Sequence, residues 1–263
     1  MKQIINLYKN NKSSTIYFPN PNDEVIEGVK GGNANELFTP AYWKLQIIYY
    51  KEVLNQISLK KGETFNEEII SCLLGGYGMK AEVGILFFNE LKALGVIGSE
   101  VIDERKIYGI LKRPLVYNNK KYYYRYPKQK SKYIFNALNS IRNYQQPFND
   151  IYKLRSWLMS IKGIGPKTAS WIIRNWFCCE DVAIIDIHIY KVGAIIGLFN
   201  NEENVSKDYF NLESKFIKFA KGLKVKPSEL DTIIWQQARR FSSIIKNILT
   251  QQRKKICLEE AAL

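Results

Sequence analysis

The sequence predicts a mostly α-helical fold with a short β element at the N-terminus. From Pro40 onward, apolar residues recur three and four positions apart, which is the period of an amphipathic helix. Residues 1–35 instead hold short apolar pieces broken by proline and glycine, as in "STIYFPNPNDEVIEGVKGGN". Such a pattern is typical of short strands and turns.

The predicted helices have recognisable start and stop signals. "PAYWKLQIIYYKEVLNQ" carries the first apolar stripe, and "TFNEEIISCLLGG" begins with the capping box of Thr64 and Glu67 and stops at Gly75. "KAEVGILFFNELKALG" ends at Gly95, and "LVYNNKKYYYRYP" predicts a hairpin that turns at residues 118–119. Further helices are predicted near residues 130–145, 149–160, 166–177, 187–197, 206–221 and 228–247.

Composition narrows the class of partner. The chain has 263 residues, of which 39 are basic and 25 acidic, giving a formal net charge of +14. A protein this basic usually binds a polyanion, with nucleic acid the first candidate and an anionic membrane surface the second. A lysine-rich, AT-biased genome is the alternative explanation of the charge.

The cysteines and the hydropathy indicate a reducing compartment. Cys72, Cys178, Cys179 and Cys257 include no CxxC pair, so we predict no iron–sulfur cluster and no other metal site. The N-terminus lacks the pattern of a secretion signal, and no apolar run approaches the roughly 18 residues of a membrane span. We therefore expect a cytoplasmic protein without membrane association.

The stretch "IKGIGPKTAS", residues 161–170, joins two amphipathic helices. Gly163 and Gly165 predict a tight turn with positive φ, and Pro166 suits the first position of a helix whose free amides can hold a phosphate. A P-loop and a dinucleotide fingerprint are both excluded, because Pro166 precedes Lys167 and Thr168 stands where a third glycine is needed. Apolar residues at offsets of 0, 3, 4 and 7 give each helix a face for the other: Leu154, Trp157, Leu158 and Ile161, then Ala169, Ile172, Ile173 and Trp176.

"LRSWLMSIKGIGPKTASWIIRN" followed by "VAIIDIH" resembles the helix-hairpin-helix DNA glycosylases, and most of all their bifunctional 8-oxoguanine DNA glycosylase/AP lyases. The hairpin, Lys167, and Asp186 nineteen residues later carry the resemblance. It implies the helix-hairpin-helix DNA glycosylase fold and a monomer that binds double-stranded DNA containing a damaged base. It implies no redox cofactor, although relatives often hold a monovalent cation with hairpin carbonyls.

We expect three parts on this basis. Residues 1–35 form the N-terminal segment, residues 36–145 with 206–263 form a helical domain that includes the C-terminal helix, and residues 146–205 form the helix-hairpin-helix region. The resemblance implies that this protein excises oxidised purine, above all 8-oxoguanine, and nicks the abasic strand. A related glycosylase for another lesion, such as an oxidised pyrimidine, and a non-catalytic DNA-binding protein are the alternatives.

The resemblance assigns the catalytic roles to Lys167 and Asp186. A neutral lysine amine can attack the sugar carbon and form a Schiff base, and both desolvation and the positive end of the helix at Pro166 favour that neutral form. Asp186 is expected to stabilise the positive charge that develops on the sugar. The alternatives are a solvated lysine beside a phosphate-binding turn, and an aspartate that only caps a helix.

The remaining assignments concern DNA and the flipped base. We expect DNA contacts from Lys162, Gly163, Ile164, Gly165 and His188. We expect a base pocket from Trp171, Asp231, Trp235 and Met79, with Tyr77 beside Met79 as a wedge. Each also has a purely structural alternative in the core or in a turn. Two departures from the family are the short N-terminal segment and the C-terminal "EEAAL", where compact relatives often end in a lysine.

Overall fold

The computed structural model describes residues 2–9, 11–56, 61–76, 78–101, 103–144, 150–200 and 202–260. In chain order its elements are β1 Gln3–Lys9, β2 Lys12–Phe18, β3 Glu24–Ile26, β4 Val29–Lys30, α1 Pro40–Tyr49, α2 Lys51–Gln56, α3 Phe65–Leu74, α4 Ala81–Ala93, α5 Glu104–Lys112, β5 Leu115–Tyr117, β6 Lys120–Tyr122, α6 Pro127–Arg142, α7 Ile151–Ser160, α8 Pro166–Phe177, α9 Ile187–Ile195, α10 Tyr209–Leu223, α11 Pro227–Arg240 and α12 Ser242–Glu260.

The chain divides into two compact units. The first unit is Met1–Ile57 with Glu180–Leu263, and the second unit is Ser58–Cys179. This division differs from the three parts predicted from the sequence, because α7 and α8 belong to the second unit and α9 to the first. Within the described part of the chain, no helix has the length and apolar character needed to cross a membrane.

The N-terminal segment is more regular than its sequence indicates. Strands β1 and β2 pair antiparallel in register from Gln3 opposite Phe18 to Lys9 opposite Lys12. The turn between them contains Asn11 at φ 58°, a conformation that asparagine tolerates better than most residues. Alternate side chains of this hairpin pack on a small cluster that includes Phe18 and Leu45, so the hairpin is anchored to α1.

The helices agree with the predicted pattern except at three places. Tyr50 leaves helical geometry at ψ 12°, so the first apolar stripe is divided between α1 and α2. Phe241 likewise separates α11 from α12. Helix α5, which was not predicted, begins at the cap Asp103 and buries only a narrow stripe of Ile107, Ile110 and Leu111 in an otherwise polar segment.

The core of the second unit contains a buried carboxylate that joins α3 to α8. Glu68 is fully buried and accepts hydrogen bonds from the backbone amides of Lys61 and Gly62 and from Nδ2 of Asn175 on α8. Burial, and secondarily the charge of Glu68, raises the pKa of Cys72, whose thiol donates to the same carboxylate. One side chain therefore fixes the entrance to α3 against the middle of α8.

Replacing Glu68 tests how much the second unit depends on this network. We expect Glu68→Ala to lower the free energy of unfolding by about 3 kcal/mol, because it leaves buried amide donors without acceptors. Glu68→Gln keeps one acceptor oxygen and serves as the matched control, with an intermediate loss. Urea denaturation measures both changes. A loss below about 1 kcal/mol in Glu68→Ala would contradict the role of the network.

Candidate active site

The loop between α7 and α8 forms the predicted hairpin of helices. Asp150 caps α7 by accepting from the amides of Tyr152 and Lys153, each at 3.0 Å. The chain then turns through a hydrogen bond of 3.0 Å from the Ile164 amide to the Ile161 carbonyl. Ile161 and Ile164 are both buried, so the turn is held against the second unit from below while Lys162 remains exposed.

The two glycines of the turn have different reasons to be glycine. Gly163 has φ +100°, and a Cβ there would lie 2.4 Å from the ring of Tyr133 on α6. Gly165 is extended at φ −93° and ψ −179°, and a Cβ there would meet no atom within 4 Å. The expectation of positive φ is therefore confirmed for Gly163 and wrong for Gly165, which adopts a backbone open to any residue.

Helix α8 begins as the sequence predicts, with Gly165 as its N-cap and Pro166 in its first position. Gly165 has no side chain to cap the helix, and the first bond along it joins the amide of Ala169 to the carbonyl of Gly165 at 3.0 Å. Lys167 is half-buried on this first turn. Its amine is thus attached to the positive end of a helix, an environment that opposes an ammonium.

A lysine that sequence analysis did not single out lies at the opposite kind of helix end. Lys130 on α6 donates from Nζ to the carbonyls of Leu73 and, at 2.9 Å, of Gly75, which terminate α3. Burial, and secondarily the charge of Lys167, lowers the pKa of Lys130 to about 8. A signal was present in "RYPKQKSKY", but the residue's importance depends on carbonyls more than fifty positions away.

The loop after α3 is tied down by side chains from the segment before α6. Tyr124 donates to the Leu74 carbonyl at 2.7 Å, and Arg125 donates to the Gly78 carbonyl at 3.3 Å. Trp171 packs on this loop, because a Cβ at Gly75 would lie 2.9 Å from Cζ3 of its ring. Met79 is half-buried in the same loop, whereas the proposed wedge at Tyr77 falls outside the described residues.

Asp186, in the first unit, is the N-cap of α9. Its Oδ1 accepts from the amides of His188 at 2.8 Å and Ile189 at 2.9 Å. Among the described residues, no hydrogen bond reaches Oδ2. The capping alternative is therefore confirmed, and it leaves one oxygen of the half-buried carboxylate available for a second role.

The extended segment before Asp186 is held by side chains of α10 and α11. The amide of Ala183 donates to Glu213 at 3.1 Å, that of Ile184 to Asp231 at 3.3 Å, and the carbonyl of Ala183 accepts from Tyr209 at 2.8 Å. Glu213 and Tyr209 were missed by sequence analysis, since no local pattern connects them to residues 183–184. Together these side chains set where Asp186 begins its helix.

The other predicted pocket residues of the first unit have structural surroundings. Asp231 is 2% exposed, and besides the Ile184 amide it accepts from the hydroxyl of Thr232 at 3.2 Å. Trp235, one turn further along α11, is half-buried with the guanidinium of Arg239 4.6 Å from its ring centroid. Their contact with a base stays a prediction, as does the DNA contact of His188, whose side chain is half-buried.

Replacing each turn glycine by alanine separates their roles. We expect Gly163→Ala to lower the free energy of unfolding by about 2–3 kcal/mol, because it combines positive φ with a clash against Tyr133. The matched variant Gly165→Ala has neither problem and should change stability by less than about 0.5 kcal/mol. Urea denaturation compares the two, and equal losses would contradict the structure of the turn.

Comparison with known proteins gives this arrangement a family. The family model described as 8-oxoguanine DNA glycosylase matches residues 47–225, a range that contains Lys167 and Asp186 and ends before Asp231. The chain is 30% identical over 205 residues to the 8-oxoguanine DNA glycosylase/AP lyase of Saccharolobus islandicus, a match that covers 72% of this chain and 88% of that protein.

Solved structures agree with the sequence match. The 8-oxoguanine DNA glycosylase of Thermotoga maritima is similar with a TM-score of 0.57 and 22% identity, over 77% of this chain and 96% of that one. The Methanocaldococcus jannaschii 8-oxoguanine glycosylase/lyase, solved with a 15mer DNA containing 8-oxoguanine, has a TM-score of 0.52 and 25% identity, over 77% and 91% of the two chains. The predicted helix-hairpin-helix glycosylase fold is confirmed, and the chain belongs to the 8-oxoguanine DNA glycosylase family.

Proposed function

We propose that this protein removes 8-oxoguanine from duplex DNA and then cleaves the abasic strand. The observation that carries the proposal is the position of Lys167 on the uncapped first turn of α8, within the part of the chain that matches the family. The relative from Saccharolobus islandicus is named for both activities. The net charge of +14 supports a polyanionic substrate.

Lys167 is the proposed nucleophile. The lone pair of its neutral amine attacks C1′ of the damaged nucleotide, while the electrons of the glycosidic bond leave with the base, which takes up a proton. Loss of a proton from nitrogen and opening of the sugar ring give a Schiff base. That imine acidifies a C2′ proton, and its removal expels the 3′ phosphate and breaks the strand.

Asp186 is the proposed electrostatic partner in this reaction. Its Oδ1 is used by the cap of α9, which fixes the direction of the carboxylate. We propose that Oδ2 stabilises positive charge on the sugar as the glycosidic bond breaks and assists proton transfer. The side chains of Tyr209, Glu213 and Asp231 support this role indirectly, because they immobilise the preceding backbone.

DNA binding belongs to the same proposal. Lys162, exposed beside the turn, and the backbone of Gly163, Ile164 and Gly165 are proposed to hold a phosphate, and the open space at Gly165 supports such an approach. His188 is the proposed contact to the strand near the lesion. Trp171, Met79, Asp231 and Trp235 remain the proposed surroundings of the extruded base.

Two further points are proposed with less direct support. A monovalent cation at the hairpin would use backbone carbonyls, and within the described residues no hydrogen bond reaches those of Lys162 and Ile164. A cytoplasmic location beside the chromosome follows from the proposed substrate.

Borohydride trapping tests the role of Lys167. On a duplex containing 8-oxoguanine, the unchanged protein should give a covalent adduct, and Lys167→Gln should give none while still binding DNA, because an amide forms no Schiff base. Lys162→Gln, which removes a neighbouring charge, should keep the adduct and bind more weakly. An adduct on another lesion only would change the substrate, and binding without any adduct would make the protein non-catalytic.

Substitution of Asp186 separates its cap from its chemistry. Asp186→Asn keeps a good capping oxygen, so stability and DNA binding should be retained while single-turnover excision slows by about a hundredfold. Asp186→Ala should slow excision similarly and also cost about 1 kcal/mol of unfolding free energy. Unchanged excision by Asp186→Asn would leave the residue with its structural role alone.

A further inference from the structure

The second unit contains a pair of lysines whose positions follow from three packing contacts. Lys130 Nζ is 2.9 Å from the Gly75 carbonyl and 6.0 Å from the ring centroid of Tyr133. The backbone of Gly75 packs on Trp171, four residues after Lys167, and the ring of Tyr133 packs on Gly163, four residues before it. The Lys130 ammonium therefore adjoins the neighbours on both sides of Lys167.

The two lysines lie at helix ends of opposite polarity. The ammonium of Lys130 faces the last carbonyls of α3, which carry the partial negative charge of that helix. The amine of Lys167 is on the first turn of α8, where the partial charge is positive. When two nearby amines repel each other's protons, the one at the positive helix end is the one that gives its proton up.

We infer that Lys130 is a positioning residue for the proposed reaction, and that its fixed ammonium keeps the amine of Lys167 in the neutral, nucleophilic form. This inference rests on the proposed function for its consequence in catalysis. The electrostatic relation itself concerns two side chains of the folded protein and can be measured without DNA.

The neighbouring groups do not cancel this charge. Burial raises the pKa of Tyr124, and Tyr133 is a phenol, so both are neutral near pH 7. On α3, Glu67 is paired with Lys92, and Glu68 is occupied by backbone amides and Asn175. The remaining charges on the elements packed against Lys130 are Glu104, Arg105, Lys106 and Lys112 on α5, Arg174 within the α8 core, Lys128, Lys132 and Arg142 on α6, Lys80 in the loop and Lys162 in the turn.

A set of four variants separates charge from hydrogen bonding. Lys130→Gln is neutral but can still donate to a carbonyl, Lys130→Met is neutral and cannot donate, and Lys130→Arg keeps both the charge and the donors. Lys132→Gln removes a charge from an exposed position on the same helix and is the matched control. Circular dichroism and thermal unfolding verify that each variant folds.

Two pH profiles are measured for each variant. The first is the rate at which an amine-reactive anhydride acylates Lys167 in the free protein, followed by mass spectrometry. The second is the rate of borohydride trapping on a duplex with an abasic site. Near pH 7 we expect Lys130→Gln and Lys130→Met to slow both by on the order of tenfold and to move both midpoints up by about one pH unit. Lys130→Arg and Lys132→Gln should coincide with the unchanged protein.

The outcomes distinguish this inference from the proposed function. Unshifted profiles in Lys130→Gln overturn the inference, and so does equal impairment of Lys130→Gln and Lys130→Arg, which indicates a structural role only. If Lys130→Gln does not fold, Lys130→Met decides by the same criterion. Absence of trapping by the unchanged protein overturns the proposed function, whereas the acylation profiles still decide whether Lys130 controls the protonation of Lys167.

Discussion

The backbone groups left unpaired at helix ends are the constraint around which the candidate catalytic residues are arranged. An α-helix leaves amides unpaired at its start and carbonyls unpaired at its end, and these must be satisfied by other groups or by solvent. Asp186 satisfies the start of α9, and Lys130 and Tyr124 satisfy the end of α3. The start of α8 differs, because its N-cap is a glycine without a side chain. Reactive groups and helix ends therefore coincide.

Buried carboxylates support this arrangement from outside the proposed chemistry. Glu68 in the second unit and Glu213 in the first are both nearly inaccessible, and both accept from backbone amides outside the regular elements. A charge in a protein interior is costly unless hydrogen bonds replace its hydration. Here the bonds also fix segments that lead into α3 and α9. The same side chains thus stabilise irregular backbone and determine the orientation of the helices that follow it.

Local chemistry explains which features the sequence could predict. The capping box at Thr64, the turn at residues 118–119 and the start of α8 at Pro166 each depend on neighbours within a few positions, and the structure has each of them. Lys167 and Asp186 were identifiable because their family has a distinctive local pattern around both. Their proposed roles remain to be tested by the substitutions above.

Features that depend on distant partners were not predictable in the same way. Nothing near Lys130 in the chain indicates that its ammonium meets the end of α3, and nothing near Glu213 indicates a bond to Ala183. Gly165 shows the converse error, since its neighbours in the turn favour positive φ while the observed backbone is extended. The polar sequence of α5 conceals a helix because only a narrow stripe is buried, and that burial is supplied by tertiary contacts.

A reactive amine at the start of α8 also has a thermodynamic consequence. Placing a second lysine nearby and leaving the helix without a capping side chain both disfavour the folded state when Lys167 is protonated. The cost is smaller for Lys130, since the carbonyls of α3 accept from its ammonium. What remains is concentrated on Lys167 and is relieved when that amine loses its proton or forms a bond to carbon. The buried network of Glu68, which holds α8 against α3, provides the stability that such a locally unfavourable arrangement requires.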